Sequence, residues 1–253
     1  METKETLKKA ASGMGCKAPG AQEPRHNMQL GEVLSTAQRS RPPAQQFIQR
    51  FPKQHWEKVY ATKDPREVGW YQPHLEKSLQ LIRDSGARPD GRIIDVGGGA
   101  STLVDDLLKA GYRSVTVLDI SAAALEKTKA RLGLLAKEVI WIEADITRAN
   151  LPRHHYDVWH DRAVFHFLTD PEDRRRYVEL VRHAVKPDGH VILACFGPKG
   201  PVQCSGLDIV RYDPEGLHSE FGGGFRLVKS LTENHVTPFG TEQQFIYCYC
   251  RKR

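Results

Sequence analysis

The sequence predicts an α/β fold: a doubly wound, mostly parallel sheet with helices on both faces and an antiparallel C-terminal strand. Three observations carry this expectation. Between residues 92 and 196, short apolar runs alternate with amphipathic ones, the pattern of right-handed strand–helix–strand crossovers. Gly97, Gly98 and Gly99 follow the first of those runs, where such a sheet turns into its first helix. Beyond residue 224, two strand-like runs follow each other with no long helix between them, so they pair antiparallel at the edge of the sheet.

Each element has a local reason. Residues 1–45 mix Gly, Pro, Gln, Lys and Ser without sustained periodicity and read as a disordered basic tail. Order is expected from "FIQRFPKQHWEKVYA", which sets the folded domain at residues 46–253. In "LEKSLQLIRDSG", Leu75, Leu79 and Ile82 recur at helical spacing and Gly86 is the stop. "RIIDV" (92–96) is a short buried strand, and "STLVDDLLKAG" a helix ending at Gly111. "SVTVLDI" (114–120) is the second strand. "SAAALEKTKARLG" is a helix capped by Ser121 and Gly133. "EVIWIEADI" gives the third strand, and "YDVWHDRAVFHFL" the fourth with the turn beyond it. "DPEDRRRYVELVRHAVKPDG" is a helix stopped by Pro187 and Gly189, and "HVILACF" the fifth strand. "FRLVKSLTENHV" and "QQFIYCYCRKR" close the sheet.

The bulk properties set limits. A chain of 253 residues suits one large domain or two small ones. Net charge is +6, of which the first 50 residues carry +4. The rest is nearly neutral, which argues against nucleic-acid binding by the domain. The start, "METKETLKKAASG", lacks a secretory apolar core and carries Glu2 and Glu5. No apolar run approaches membrane-spanning length. Cys16, Cys195, Cys204, Cys248 and Cys250 form no C-x-x-C and read as reduced thiols, with no metal expected. These features point to a cytoplasmic monomer.

The glycine turn raises the question of its ligand. Glycine permits positive φ and lets a ligand approach the backbone. Asp119 ends the second strand, 22 residues after Gly97, where a carboxylate can accept both hydroxyls of a ribose. Asp145 ends the third, where an acceptor can meet an adenine amino group. Ile120 and Ile146 follow these acids and can sandwich the ring. A nicotinamide cofactor competes, but its G-x-G-x-x-G fingerprint fails at Thr102. Asp95, two residues before the turn, would repel a diphosphate and suit a ligand with an ammonium and a sulfonium.

These residues resemble the class I S-adenosylmethionine-dependent methyltransferases. "IIDVGGGAS" is similar to their glycine-rich first motif, "VTVLDIS" to the ribose-binding acid and "IEADI" to the adenine-side acid. The resemblance covers residues 55–253 and implies a Rossmann-like, seven-stranded sheet. It implies that Gly97 and Gly99 border the methionine part, with Ser101 in the same turn. Asp95 orients its ammonium through a water or backbone amide, Asp119 holds the ribose, and Asp145 the adenine, with Ile120 and Ile146 about the ring. Gly98 stands where many members carry Cys or a larger residue. "DRAVFHFLTDPEDRRRY" is similar to the D-R-G-A-L stretch of thiopurine-methyltransferase-type enzymes and to the D-K-G-T stretch of some protein-lysine methyltransferases. "HWEKVYATKDPREVGWYQPH" is similar to the tryptophan-rich segment both groups place over the cofactor. The N/D-P-P-Y/F motif of nucleobase and glutamine-amide methylation is absent.

Methyl transfer from a sulfonium needs alignment and exclusion of water more than proton transfer. An acceptor thiol or amine must still be unprotonated. Asp161 and His160 are the catalytic candidates: Asp161 as a carboxylate facing cofactor or acceptor, or a turn cap; His160 as a base, or a histidine bonded at a strand end. Arg162 either orients an anionic acceptor or makes a structural ion pair. Trp70 and Tyr71 either close over the site, Tyr71 against the cofactor and Trp70 against the acceptor, or pack in the core. His166, His235 and Cys204 are candidate acceptor-side residues. The acceptor is a small molecule or a protein side chain. The competing functions are an NAD(P)-dependent oxidoreductase and a non-catalytic adenosylmethionine-binding scaffold.

Overall fold

The computed structural model describes residues 52–253; the expected tail and Cys16 lie outside them. The elements run α1 (Pro52–Thr62), α2 (Glu76–Asp84), β1 (Arg92–Val96), α3 (Leu103–Lys109), β2 (Ser114–Asp119), α4 (Ala122–Leu132) and β3 (Val139–Glu143). Then come β4 (Tyr156–Arg162), α5 (Pro171–Ala184), β5 (Val185–Phe196), the short β6 (Gln203–Cys204) and β7 (Leu207–Asp208), α6 (Pro214–Phe221), β8 (Phe225–Val236) and β9 (Glu242–Lys252).

Seven strands form one sheet in the order β3-β2-β1-β4-β5-β9-β8. The first five are parallel. β9 runs antiparallel between β5 and β8. Strand order reverses between β1 and β4, which opens a crevice at their carboxyl ends. That reversal positions everything described below.

Alternation along the strands splits the core in two. Val191, Leu193 and Cys195 of β5 join Tyr177, Val181, Leu217 and Phe221 of α5 and α6 on one face. Ile192, Ala194 and Phe196 join Leu79, Ile82, Leu103, Leu107 and Leu125 on the other. Cys195, Cys204, Cys248 and Cys250 are buried free thiols. No helix among the described residues is long and apolar enough to cross a membrane.

Local signals hold where they were specific. Ser121 caps α4 by accepting from Ala124 N, and Gly133 ends it at φ 58°. The connection from β4 to β5 differs from expectation. α5 stops at Ala184 and the chain is already extended at Val185, so β5 starts five residues early. Pro187 explains this, because the residue before a proline is driven out of the helical region. α6 was not anticipated. It begins with Asp213 as cap and Pro214 in the first turn, but only Leu217 and Phe221 anchor it, too few for a periodic signal.

Candidate functional site

A cavity of about 750 Å³ opens at the carboxyl ends of β1 to β4. Gly97 lines it, and each glycine of the turn answers a different neighbour. Gly97 sits at φ 72°, and a Cβ there would collide with Val164 Cγ2. A Cβ on Gly98 would collide with the Asp95 carboxylate, and one on Gly99 would lie 2.5 Å from Asp119 Oδ2. Gly98 is therefore required by the position of Asp95. Gly99 does not face the cavity; it lets the backbone close on Asp119.

Asp119 lines the cavity and is 6 % exposed. Its Oδ2 accepts from Gly99 N at 2.9 Å and its Oδ1 from Ser121 N at 2.8 Å. Burial pushes its carboxyl up to about 6, against the pull of those amides. Asp145 holds its turn by accepting from Thr147 N and Oγ1 at 2.9 and 2.8 Å. Ile120, Asp145 and Ile146 line the same wall. The structure thus brings Gly97, Asp119, Ile120, Asp145 and Ile146 together as the sequence implied.

The opposite wall is aromatic: Trp56 and Tyr60 from α1, Trp70 from the following loop and Phe167 after β4. Trp56 lies 5.7 Å from Trp70 and 5.2 Å from Phe167, both edge to face. α1 is fastened in three places. Lys53 pairs with Glu143 on β3, Glu57 bonds the start of α4, and His55 Nε2 lies 3.1 Å from Ser205 Oγ in the β6–β7 turn. Trp56, Tyr60, Phe167 and Glu57 were missed as site residues by sequence reasoning. The i, i+4 spacing of Trp56 and Tyr60 was the available signal.

A smaller space of about 50 Å³ adjoins through Gly97, Trp70 and Arg162 and contains Asp95, Tyr71 and Ser101. Tyr71 therefore lies beside the glycine turn, in a space that Tyr60 and Trp70 also line, and does not line the larger cavity. Ser101 Oγ accepts from Leu103 N at 3.1 Å and starts α3.

Four expectations are corrected by burial and bonding. His160 is 1 % exposed. Its Nδ1 donates to Asp95 Oδ1 at 2.7 Å and its Nε2 accepts from Ser78 Oγ at 2.8 Å, so no ring nitrogen is free to act as a base. It holds Asp95 in place. Asp161 is fully buried and accepts from Val164 N, Phe165 N and the Tyr177 hydroxyl, the last at 2.6 Å. It fixes the turn after β4 and does not line the cavity. His166 is likewise fully buried, among Phe167 and Phe196. Burial, reinforced by Arg162, drives its imidazole down to about 3, so it stays neutral in the core. His235 accepts from Gln72 Nε2 at 3.0 Å and donates through Nε2 to Gly69 O at 2.9 Å. It ties β8 to the loop carrying Trp70.

Arg162 remains at the cavity. Among the described residues it is the one Lys or Arg lining either space. Its side chain is 5 % exposed and its Cζ stacks 4.1 Å from the Phe245 ring centroid. Nη1 donates to Trp70 O at 3.1 Å. Nη2 lies 3.8 Å from Glu233 Oε2, and neither Nε nor Nη2 has a hydrogen-bond partner. Cys204 also lines the cavity, its thiol pushed up to about 12 by burial. No His/Cys/Asp/Glu group among the described residues could hold a metal ion.

Residues 93–189 match the family described as a methyltransferase domain. The chain is 26% identical over 203 residues to the EEF1A lysine methyltransferase 2 of Danio rerio, covering 73% of this chain and 84% of that one. It is 26% identical over 120 residues to the eEF1A lysine and N-terminal methyltransferase of Mus musculus. That match spans 47% of this chain and only 17% of the mouse protein's length. Among solved structures, the N-methyltransferase NodS from Bradyrhizobium japonicum WM9, in complex with S-adenosylhomocysteine, superposes with a TM-score of 0.59 at 17% identity. It covers 79% of this chain and 97% of that one.

Proposed function

We propose, on the premise that this chain carries a class I, S-adenosylmethionine-dependent methyltransferase domain, that it methylates an amine, with a lysine side chain of a protein as acceptor. The carrying observation is the aromatic wall of Trp56, Tyr60, Trp70 and Phe167. Ring faces attract cations, and this reaction has one on each side: a sulfonium before transfer and a methylated ammonium after it. The Danio rerio relative's name supports the lysine reading.

The residues present fit the cofactor. Asp95 has a buried carboxylate oxygen, Oδ2, with no hydrogen-bond partner, beside the turn where an ammonium would lie. Asp119 presents a carboxylate to the cavity, suited to ribose hydroxyls, and Asp145 with Ile120 and Ile146 would hold the adenine. The same Asp95 would oppose a nicotinamide cofactor's diphosphate. S-adenosylmethionine supplies an electrophilic methyl carbon and a neutral thioether leaving group.

The protein's own part is alignment. The rings and the Gly97 turn bound the approach of the acceptor. In the transfer, the amine lone pair forms the new N–C bond as the C–S bond breaks, and the surplus proton on nitrogen passes to water. His160, His166 and His235 are all buried or bonded, so none of them takes the acceptor's proton. Rate would then rise with pH as more acceptor loses its proton.

The test is incubation of the full chain with methyl-labelled cofactor and cell extract, separated into protein and small-molecule fractions. Labelled methyllysine after hydrolysis of the protein fraction is expected. Label confined to small molecules would overturn the acceptor assignment, and absence of label in both would favour the scaffold alternative.

A further inference from the structure

The amino ends of β4 and β5 lie at the opposite end of the sheet from the cavity, and a separate open space of about 500 Å³ sits there. Arg153 and His154 reach it from the loop before β4, Arg182 and His183 from the last turn of α5, and Lys252 and Arg253 from the end of β9. Glu179 is the one acid that lines it. Four fixed positive charges thus share the space with one negative charge, before either histidine takes a proton. Backbone bonds hold the segments together: His154 N donates to His183 O at 2.9 Å, and Arg253 N to Gly224 O at 2.9 Å. Lys252 is 7 % exposed. Its Nζ donates to Arg182 O and Val185 O, closing the carbonyl end of α5. An ammonium has three N–H donors, so one is left over. Burial, reinforced by Arg153 and Arg182, pulls this ammonium below its ordinary value.

The helix end accounts for Lys252 alone. The guanidinium groups of Arg153, Arg182 and Arg253 have no hydrogen-bond or ion-pair partner among the described residues. The cations next to this space are different: Lys186 pairs with Asp157 and Arg251 with Asp188. The unpaired charge therefore ends at the rim, which suits a compact polyanion rather than the long backbone of a nucleic acid. We infer that this space is a binding site for a small anion carrying two or more linked phosphates, free or at the end of a nucleotide. Arginine forks grip phosphate oxygens two at a time, and the volume is that of a small-molecule site. The leftover donor of Lys252 forms a fixed floor, and the bound anion relieves the repulsion among the four cations.

The site stands apart from the methyl-transfer cavity, so the inference holds whatever the acceptor is. Isothermal titration of the full chain with inorganic triphosphate, at low and at physiological salt, tests it. The proteins are wild type, Arg153→Gln, Arg182→Gln and Arg182→Lys, with Arg88→Gln as control, because Arg88 is exposed and pairs with Asp90 elsewhere on the surface. Each is checked for its native melting transition. Wild type should bind one triphosphate per chain, and Arg153→Gln and Arg182→Gln should each weaken it about 10-fold or more, the range of a lost charge-assisted hydrogen bond. Arg182→Lys should lose less, and Arg88→Gln should match wild type. Saturating S-adenosylmethionine should leave the affinity unchanged. Equal affinity for triphosphate and ATP would assign the site to the phosphates alone, and tighter ATP to a nucleotide; both uphold it. Failure of wild type to bind, or an equal loss in Arg88→Gln, would overturn the site in favour of diffuse surface charge. Displacement by S-adenosylmethionine would overturn it by placing the anion in the cavity, and tighter binding of a short RNA duplex than of triphosphate would overturn it in favour of nucleic acid.

Discussion

Glu57 of α1 caps the start of α4 from across the molecule: Oε1 accepts from Ala122 N at 2.7 Å and Oε2 from Ala123 N at 3.1 Å. Two of the unpaired amides of a helix start are thus satisfied by a residue 65 positions earlier. Glu57→Ala should cost about 1–2 kcal/mol of stability, read by urea unfolding. It should also weaken cofactor binding, because Trp56 and Tyr60 ride on the same helix. Equal cofactor affinity in mutant and wild type would show that α1 keeps its seat without this bond.

Asp119 titrates in a useful range. Its folded-state carboxyl lies near 6, above the unfolded value of about 3.9. The unfolded chain therefore releases this proton first, and stability contributed by the protonated form is lost as pH rises from about 4 to about 6. Asp119→Asn should remove that component, leaving a flatter difference curve in denaturant unfolding over this window. Asp119→Ala should weaken S-adenosylmethionine by about 1–3 kcal/mol, measured by titration calorimetry at pH 7.5. Unchanged affinity in a folded mutant would take Asp119 out of the site.

His166 gives the opposite slope. Its folded imidazole lies near 3, below the unfolded value of about 6.5. The stability from burying it neutral is complete above pH 6.5 and is lost as pH falls toward 3. His166→Phe should make the protein less sensitive to acid between those limits. The check is the melting temperature of both proteins at pH 5 and pH 7.5, where the gap should shift in the mutant's favour at the lower pH.

Gly97→Ala combines a backbone and a packing fault. The residue must keep φ 72°, and its new Cβ meets Val164. A loss of about 2–4 kcal/mol is expected. Adding Val164→Ala should recover the packing part and leave the backbone part. Full recovery in the double mutant would mean that the positive φ carries no cost here.

The sheet was legible because its strands are short apolar runs whose order alone dictates the crossovers. Asp119 and Asp145 were legible because their place depends only on where a strand ends. The histidines were not. His160 and Asp161 are neighbours on β4, so they point to opposite faces, and only the tertiary structure tells which face leads to the cavity. In the fold, neither reaches open solvent: His160 meets Asp95 and Ser78, and Asp161 meets Tyr177. His235 was read as an acceptor-side residue because its loop neighbours suggested it, yet its partners Gly69 and Gln72 lie 166 and 163 residues away in sequence. α1 was expected to be ordered, but the wall it builds depends on long-range bonds to Ser205 and to the start of α4, which no local pattern encodes.

That wall is encoded largely in a short stretch of chain. Pro52, Trp56 and Tyr60 all border the cavity and recur every fourth residue along α1, forming a single stripe. Three codons thus set the size and polarity of one side of the chamber, while the seven strands and their crossovers carry the donor side. Exchanging residues of that stripe would alter both the room left for an acceptor and the ring faces offered to the two cations of the reaction.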